Sequence, residues 1–169
     1  MRTAVLDIGG TSIKAGLAEN GCLQAFREEK TLAGRGGQAV LQTAGEILRD
    51  FSGFGRIGIS TAGQVNPETG CIVYANENLP AYTGCNVKKF FEDRFGVPTA
   101  VENDVNAAAI GEAAFGAGQG FSDFLCLTYG TGIGGAIVLN GSVYRGATCS
   151  AGEFGHLVTH AGGKTCGCG

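Results

Sequence analysis

Apolar residues recur along this chain with two different spacings, and the spacing predicts where strands and helices lie. Short apolar runs bounded by Gly, Asn or Ser are typical of strands. The predicted strands cover residues 3–8, 13–17, 23–30, 56–60, 99–101, 124–128 and 133–139. Asn20-Gly21 predicts a tight turn between two of these strands, and Asn140-Gly141 predicts another tight turn.

Three segments have the 3.6-residue spacing of helices. The first places its apolar side chains on one face: Val40, Ala44, Ile47, Leu48 and Phe51. The second begins at a predicted N-cap, Asn86, and ends at Gly96, and the third runs from the corner at 103–104 to about residue 115. Residues 66–84 form a long loop that can hold short strands such as 71–74, and loops of this length are often functional.

The composition describes a chain that folds. Hydrophobic residues make up 44% and charged residues 16%, which excludes a disordered tail. Glycine is the outlier, with 31 of 169 residues, but there is no Gly-X-Y period and only 3 prolines, so collagen is excluded. The glycines are therefore expected at turns and where the backbone approaches another group closely.

The charge pattern argues against nucleic-acid and membrane partners. The net charge is −3, and no run of basic residues exceeds Lys88-Lys89. No apolar stretch approaches a membrane span, and the start of the chain lacks a signal peptide, so a cytoplasmic protein is expected. Five of the seven cysteines are isolated and are expected to be buried small apolar residues: Cys22, Cys71, Cys85, Cys126 and Cys149.

The first chemical motif is the segment 7–14 (DIGGTSIK). Its two glycines permit a hairpin turn to approach a bound group, and its hydroxyl and N–H donors suit phosphate oxygens. Asp7, at the end of a buried strand, could hold a hydrated Mg²⁺. The alternative is a plain hairpin in which Asp7 bonds to the turn. The candidate residues are Asp7, Gly9, Gly10, Thr11 and Lys14.

The second motif is the segment 128–135 (TYGTGIGG). Its glycines superficially match a dinucleotide fingerprint, but that fingerprint must open a helix, and here a strand follows. A phosphate-binding hairpin and an ordinary tight hairpin both remain open, although two such hairpins in one chain favour a nucleoside triphosphate. The candidates are Gly130, Thr131, Gly132, Gly134 and Gly135.

The third motif is the segment 102–106 (ENDVN), in which Asp104 follows a predicted strand and opens a helix. One interpretation is a helix N-cap, worth about 1 kcal/mol. The other is a base for a substrate hydroxyl group. An aspartate with an ordinary pKa of about 3.9 is a weak base, but phosphoryl transfer depends mainly on positioning.

The fourth motif combines the segment 151–156 (AGEFGH) with Cys166 and Cys168. Histidine with a Cys-x-Cys pair in a reducing compartment is typical of zinc chemistry. A structural zinc needs a fourth ligand, which is either His160 or a residue beyond this chain. The alternative is a surface histidine with two incidental thiols.

With these four motifs in order, residues 5–169 resemble the ROK family of repressors, open reading frames and sugar kinases. The resemblance implies an α/β, actin/hexokinase-like (ribonuclease H-like) ATPase fold with the active site between two lobes. Residues 1–117 would form the N-terminal lobe and residues 118–169 the beginning of the C-terminal lobe. It also implies ATP-dependent phosphorylation of a hexose or N-acetylhexosamine, as in glucokinases.

The resemblance also implies roles for individual residues. ATP and Mg²⁺ would lie between the two glycine-rich hairpins. Asn103 and Asp104 would bind the sugar, with Asp104 as the base, and Glu153 and His156 would contact other sugar hydroxyls. His156 would also join Cys166 and Cys168 on a structural Zn²⁺.

Family members continue past the point where this chain ends, which lies inside their cysteine motif. We therefore expect a piece of a longer protein that is inactive by itself, binds zinc weakly and belongs to a homodimer at full length. Glucose is the first choice of sugar, with N-acetylmannosamine, N-acetylglucosamine and fructose open. The alternative function is a sugar-responsive ROK transcriptional regulator whose DNA-binding domain is absent here.

Overall fold

The computed structural model describes residues 1–130 and 132–165. The chain divides into two compact units, Met1–Asp104 and Val105–Gly169. The predicted lobe boundary at residue 117 stays a prediction.

A five-stranded mixed sheet forms the centre of the first unit, in the order β3-β2-β1-β4-β7. The strands β1, β2 and β3 form an antiparallel meander, whereas β1, β4 and β7 run parallel. The sheet strands are β1 (Arg2–Ile8), β2 (Ser12–Glu19), β3 (Cys22–Lys30), β4 (Phe54–Thr61) and β7 (Thr99–Asn103). A separate hairpin consists of β5 (Gln64–Asn66) and β6 (Cys71–Tyr74).

The core of this unit lies on one face of the sheet. Alternate residues of β1 (Ala4, Leu6 and Ile8) are buried, as the two-residue period of a strand requires. They belong to one apolar cluster with α1 (Gly37–Leu48) and α2 (Val87–Phe95). Four residues of the predicted helical face are buried in α1 (Val40, Ala44, Ile47 and Leu48), whereas Phe51 lies beyond the end of the helix and is half-buried.

The ends of α2 follow directly from the sequence. The side chain of Asn86 accepts a hydrogen bond of 2.9 Å from the N–H of Lys89, which makes Asn86 the N-cap. Gly96 follows the helix in a left-handed conformation, with φ +66°. Both predicted boundaries are confirmed.

The second unit is built on a smaller antiparallel sheet, in the order β10-β9-β8. Its strands are β8 (Phe124–Tyr129), β9 (Ile133–Leu139) and β10 (Ser142–Tyr144). The helix α3 (Asp104–Phe115) supplies Ala109 to a small core with Ala136 and Val138 of β9. A 3-10 turn, Phe154–His156, follows later in the chain.

The elements that the pattern missed are the shortest ones. β5 and β10 have three residues each, too few for a period to be visible. Each is recognised by its antiparallel partner, β6 for β5 and β9 for β10. Within the described residues, no helix combines the length and apolar character needed to cross a membrane.

Candidate active site

The candidate site begins where three parallel strands end in the same row. Ile8 of β1 pairs with Thr61 of β4, and Thr61 pairs with Asn103 of β7. In open α/β sheets, ligands bind outside the carboxyl ends of parallel strands. The segments that follow these ends are the first glycine-rich turn, the loop at Ala62 and the start of α3.

The first glycine-rich turn joins β1 to β2. The N–H of Gly9 donates to the carbonyl oxygen of Ser12 at 3.0 Å. The carbonyl oxygen of Gly9 accepts from the hydroxyl of Thr31 at 2.6 Å, and that of Thr11 accepts from the N–H of Thr31 at 3.0 Å. Two carbonyls of the turn are therefore held by one buried residue.

The loop 75–84 borders this turn. A Cβ added to Gly10 would lie 3.4 Å from Cβ of Asn78, which is ordinary van der Waals contact. The same loop is anchored by a fully buried pair, since the hydroxyl groups of Tyr82 and Thr61 lie 3.0 Å apart. Burial raises the pKa of the Tyr82 hydroxyl, which therefore stays neutral.

Asp7 lies on the opposite face of β1 from the core and is half-buried. It pairs across the sheet with Lys14 on one side and Ser60 on the other. The hydroxyl of Ser60 donates to Oδ1 of Asp7 at 3.0 Å. Within the described residues this bond goes to the neighbouring strand and not to the turn, contrary to the plain-hairpin alternative. A carboxylate at this place can bind Mg²⁺ or accept hydrogen bonds from its water ligands.

Asn103 connects Asp104 to a neighbouring loop. Its Nδ2 donates to the carbonyl oxygen of Gly63 at 2.9 Å and to Oδ1 of Asp104 at 2.8 Å. Gly63 has φ +98°, and a Cβ there would lie 2.7 Å from the carbonyl oxygen of Tyr74, so only glycine fits. Both amide hydrogens of Asn103 therefore serve bonds within the protein.

The second glycine-rich segment contains two kinds of glycine. The N–H of Gly130 donates to the carbonyl oxygen of Gly132 at 3.0 Å, and a Cβ at either would meet nothing within 4 Å. Gly134 and Gly135 lie in β9 instead, and Thr131 lies outside the described residues.

Packing explains the two glycines in β9. A Cβ on Gly134 would lie 2.5 Å from Cγ2 of Val105. A Cβ on Gly135 would run into the ring of Phe154 and lie 2.6 Å from the carbonyl oxygen of Gly152. The role of both glycines in binding ATP stays a prediction.

His156 is the last residue of the 3-10 turn, and Glu153 directly precedes that turn. Nε2 of His156 lies 3.7 Å from Oε2 of Glu153, and both side chains are exposed. An exposed pair can form hydrogen bonds to sugar hydroxyls through the carboxylate oxygens and the ring nitrogens.

Of the three predicted zinc ligands, only His156 lies within the described residues. Cys166 and Cys168 lie outside the described residues. Across 1–130 and 132–165, no three His, Cys, Asp or Glu side chains are grouped to hold a metal. The described donors therefore do not by themselves fit a zinc ion, and the zinc site stays a prediction.

The prediction that the isolated cysteines are buried is correct for Cys85 and wrong for Cys22. Cys22 is exposed because it begins β3, the edge strand of the sheet, whose side chains are mostly exposed. The other three are partly buried: Cys71, Cys126 and Cys149.

The motifs keep the order of one protein family, and the model of that family, described as the ROK family, matches residues 3–169. The chain belongs to the ROK family. It is 37% identical over 163 residues to a beta-glucoside kinase from Listeria monocytogenes, covering 96% of this chain and 55% of that protein. It is 36% identical over 169 residues to a glucokinase from Streptomyces coelicolor, covering 99% of this chain and 53% of that protein.

A solved ROK-family structure confirms the fold. The glucokinase from Streptomyces griseus, in complex with glucose and AMPPNP, matches with a TM-score of 0.84 and 33% identity over 95% of this chain and 51% of that chain. The chain therefore has the actin/hexokinase-like α/β fold that its motifs implied. It spans about half the length of the curated relatives that it matches.

Several site residues were not found from the sequence. Thr31, Ser60 and Gly63 each make a hydrogen bond to a turn or side chain of the candidate site. Ser60 lies near the carboxyl end of β4 and Gly63 lies in the loop that follows it, positions that the parallel-sheet rule would single out once the strand order is known. Thr31 has no local signal, because its partner is 22 residues away.

Proposed function

We propose that the protein carrying this chain transfers the γ-phosphoryl group of ATP to a hydroxyl group of a hexose or N-acetylhexosamine, as a glucokinase-like ROK kinase. The observation that carries the proposal is Asp104, placed at the carboxyl edge of the parallel strands and oriented by Asn103 at 2.8 Å. The similarity to sugar kinases supports the same reaction.

Asp104 is the proposed base. The substrate hydroxyl oxygen forms a bond to the γ-phosphorus, the bond from that phosphorus to the β,γ-bridging oxygen breaks, and the hydroxyl proton passes to the Asp104 carboxylate. The Asn103 hydrogen bond occupies Oδ1 of Asp104 and fixes the carboxylate plane. A fixed carboxylate suits a reaction in which positioning supplies most of the rate enhancement.

The first hairpin is the proposed phosphate site. No backbone carbonyl in the described part of the chain accepts from the N–H of Gly10 or Thr11, so these groups suit phosphate oxygens. Lys14 adds a positive charge in the next strand, and Asp7 would hold Mg²⁺ through water. When bound, Mg²⁺ neutralises charge on the phosphates. The second half of the ATP site is proposed to be the other glycine-rich segment, with Gly130, Thr131, Gly132, Gly134 and Gly135.

The sugar site is proposed to combine the Asn103–Asp104 pair with the Glu153–His156 pair. Carboxylates and an amide oxygen accept hydrogen bonds from vicinal hydroxyl groups. Glucose is the first choice of substrate. A structural zinc on His156, Cys166 and Cys168 is proposed to position the histidine, and a homodimer is proposed for the full-length protein.

The test is an ADP-release assay on the full-length protein with Mg-ATP and a panel of hexoses and N-acetylhexosamines. We expect turnover on one sugar, and a loss of roughly 10³-fold in kcat for Asp104→Asn, because that change removes the base. Asp93→Asn is the matched control: Asp93 forms an exposed ion pair with Lys89 on α2, so kcat should not change.

Two outcomes would contradict the proposal. One is an Asp104→Asn variant with the kcat of the wild type. The other is a folded, zinc-loaded wild type that phosphorylates no sugar, in which case a gel-shift assay with DNA tests the regulator alternative.

A further inference from the structure

A fully buried threonine lies directly behind the first glycine-rich turn. Thr31 follows the last residue of β3 and has no exposed surface. Its hydroxyl donates to the carbonyl oxygen of Gly9 at 2.6 Å, and its N–H donates to the carbonyl oxygen of Thr11 at 3.0 Å. One residue therefore binds the turn at two points.

These two bonds determine how the turn presents its donors. In a trans peptide the C=O and the following N–H point in opposite directions. Because the carbonyl of Gly9 points at Thr31, the N–H of Gly10 points away from that buried side chain. The peptide between two glycines has few steric barriers to rotation, so without an anchor it can adopt other orientations.

We propose that Thr31 is a positioning residue of the nucleotide site, whose hydroxyl holds the Gly9–Gly10 peptide with the Gly10 N–H directed to a phosphate oxygen. The inference rests on the proposed kinase function. It adds a residue from outside the DIGGTSIK segment, which no pattern in the sequence singled out. Threonine suits the position because its hydroxyl supplies the donor and its methyl group tolerates full burial.

The test compares two pairs of proteins in which one member lacks the hydroxyl group: the wild type with Thr31→Val, and Thr31→Ser with Thr31→Ala. Thr31→Val keeps the shape of threonine without the donor, and Thr31→Ala differs from Thr31→Ser by one oxygen atom. We expect the KM for Mg-ATP to rise roughly tenfold in Thr31→Val and Thr31→Ala, since a hydrogen bond to the turn is lost. Thr31→Ser should stay within about twofold of the wild type, and the KM for the sugar should not change in any variant.

Thr43→Val is the matched control. The Thr43 hydroxyl donates to the carbonyl oxygen of Ala39 at 2.9 Å inside α1, away from the turn. Its removal should leave the KM for Mg-ATP unchanged. A general effect of losing a threonine hydroxyl would appear in this variant as well.

Equilibrium binding of Mg-AMPPNP separates this inference from the proposed function. A wild type that binds the nucleotide but phosphorylates no sugar contradicts only the kinase proposal, and the dissociation constants of the variants then test Thr31. A serine variant as weak as alanine, an unchanged KM or Kd in both hydroxyl-free variants, or a wild type that binds no nucleotide overturns the role of Thr31. If Thr31→Val does not fold, the alanine and serine pair decides.

Discussion

The two glycine-rich segments look alike in sequence but are held by different contacts. In the first, Gly9 and Gly10 form the turn itself, and Thr31 binds its carbonyls from behind. In the second, Gly130 and Gly132 have open space around them, whereas Gly134 and Gly135 lie in a strand against Val105 and Phe154.

The difference separates glycines that packing requires from glycines for which we propose a role in binding. At Gly10 the proposed cause is room for a phosphate group bound from outside the protein. At Gly135 the missing side chain leaves room for another part of the same unit, the segment that contains Gly152 and Phe154. The first cause predicts loss of ligand binding on substitution, and the second predicts loss of stability.

The largest expected effect tests the packing side of this comparison. Gly135→Ala places a methyl group against the ring of Phe154 and the carbonyl of Gly152, which must both move. We expect the free energy of unfolding to fall by about 3 kcal/mol, as for an overpacked core. Urea denaturation followed by circular dichroism measures it.

Gly130→Ala is the control for this substitution, because a Cβ there meets nothing within 4 Å. It should change the free energy of unfolding by no more than about 0.5 kcal/mol. Equal losses in the two variants would show that packing does not distinguish these glycines.

Gly10→Ala tests the binding side of the comparison. Its Cβ would lie 3.4 Å from Cβ of Asn78, so the fold accommodates it and stability should change by less than about 1 kcal/mol. The methyl group should obstruct the phosphate and raise the KM for Mg-ATP by roughly tenfold, the loss of one hydrogen bond. A wild-type KM combined with reduced stability would assign Gly10 to packing instead.

The smallest expected effect is a pH dependence of the free energy of unfolding that comes from Tyr82. Burial raises the pKa of the Tyr82 hydroxyl in the first unit. The neutral form of Tyr82 is favoured in the fold, so its contribution is complete below the unfolded pKa of about 10 and is lost as pH rises above it.

The free energy of unfolding should fall through this group by at most about 1.4 kcal/mol per pH unit. Urea denaturation between pH 9 and 11 measures it, with Tyr82→Phe showing a shallower decrease than the wild type. Identical pH profiles for the two proteins would mean that Tyr82 does not titrate differently on unfolding.

Much of the fold could be predicted because its signals are local. The N-cap Asn86, the buried face of α1 and the turn between β1 and β2 depend on residues within a few positions of one another. The short strands β5 and β10 could not be predicted, because pairing with a neighbour defines them.

The candidate site likewise contains residues that local motifs identified and hydrogen bonds that only the fold creates. Asp7 and Asp104 were identified from motifs, and the register of β1, β4 and β7 confirms that the strands preceding the first turn and Asp104 end in one row. The orienting bonds, from Ser60 to Asp7 and from Asn103 to Asp104, emerged only from the structure. The sugar-binding and catalytic roles of these residues stay predictions.

The sequence by itself determined the family, the order of the longer elements and the candidate site residues, because each depends on short-range patterns of side chains. Tertiary structure alone decided which glycines face open space, which carbonyls Thr31 binds and how Asn103 orients Asp104. The physical reason is distance along the chain: the hydroxyl of Thr31 and the carbonyl of Gly9 are 22 residues apart in sequence, and only the folded meander brings them together.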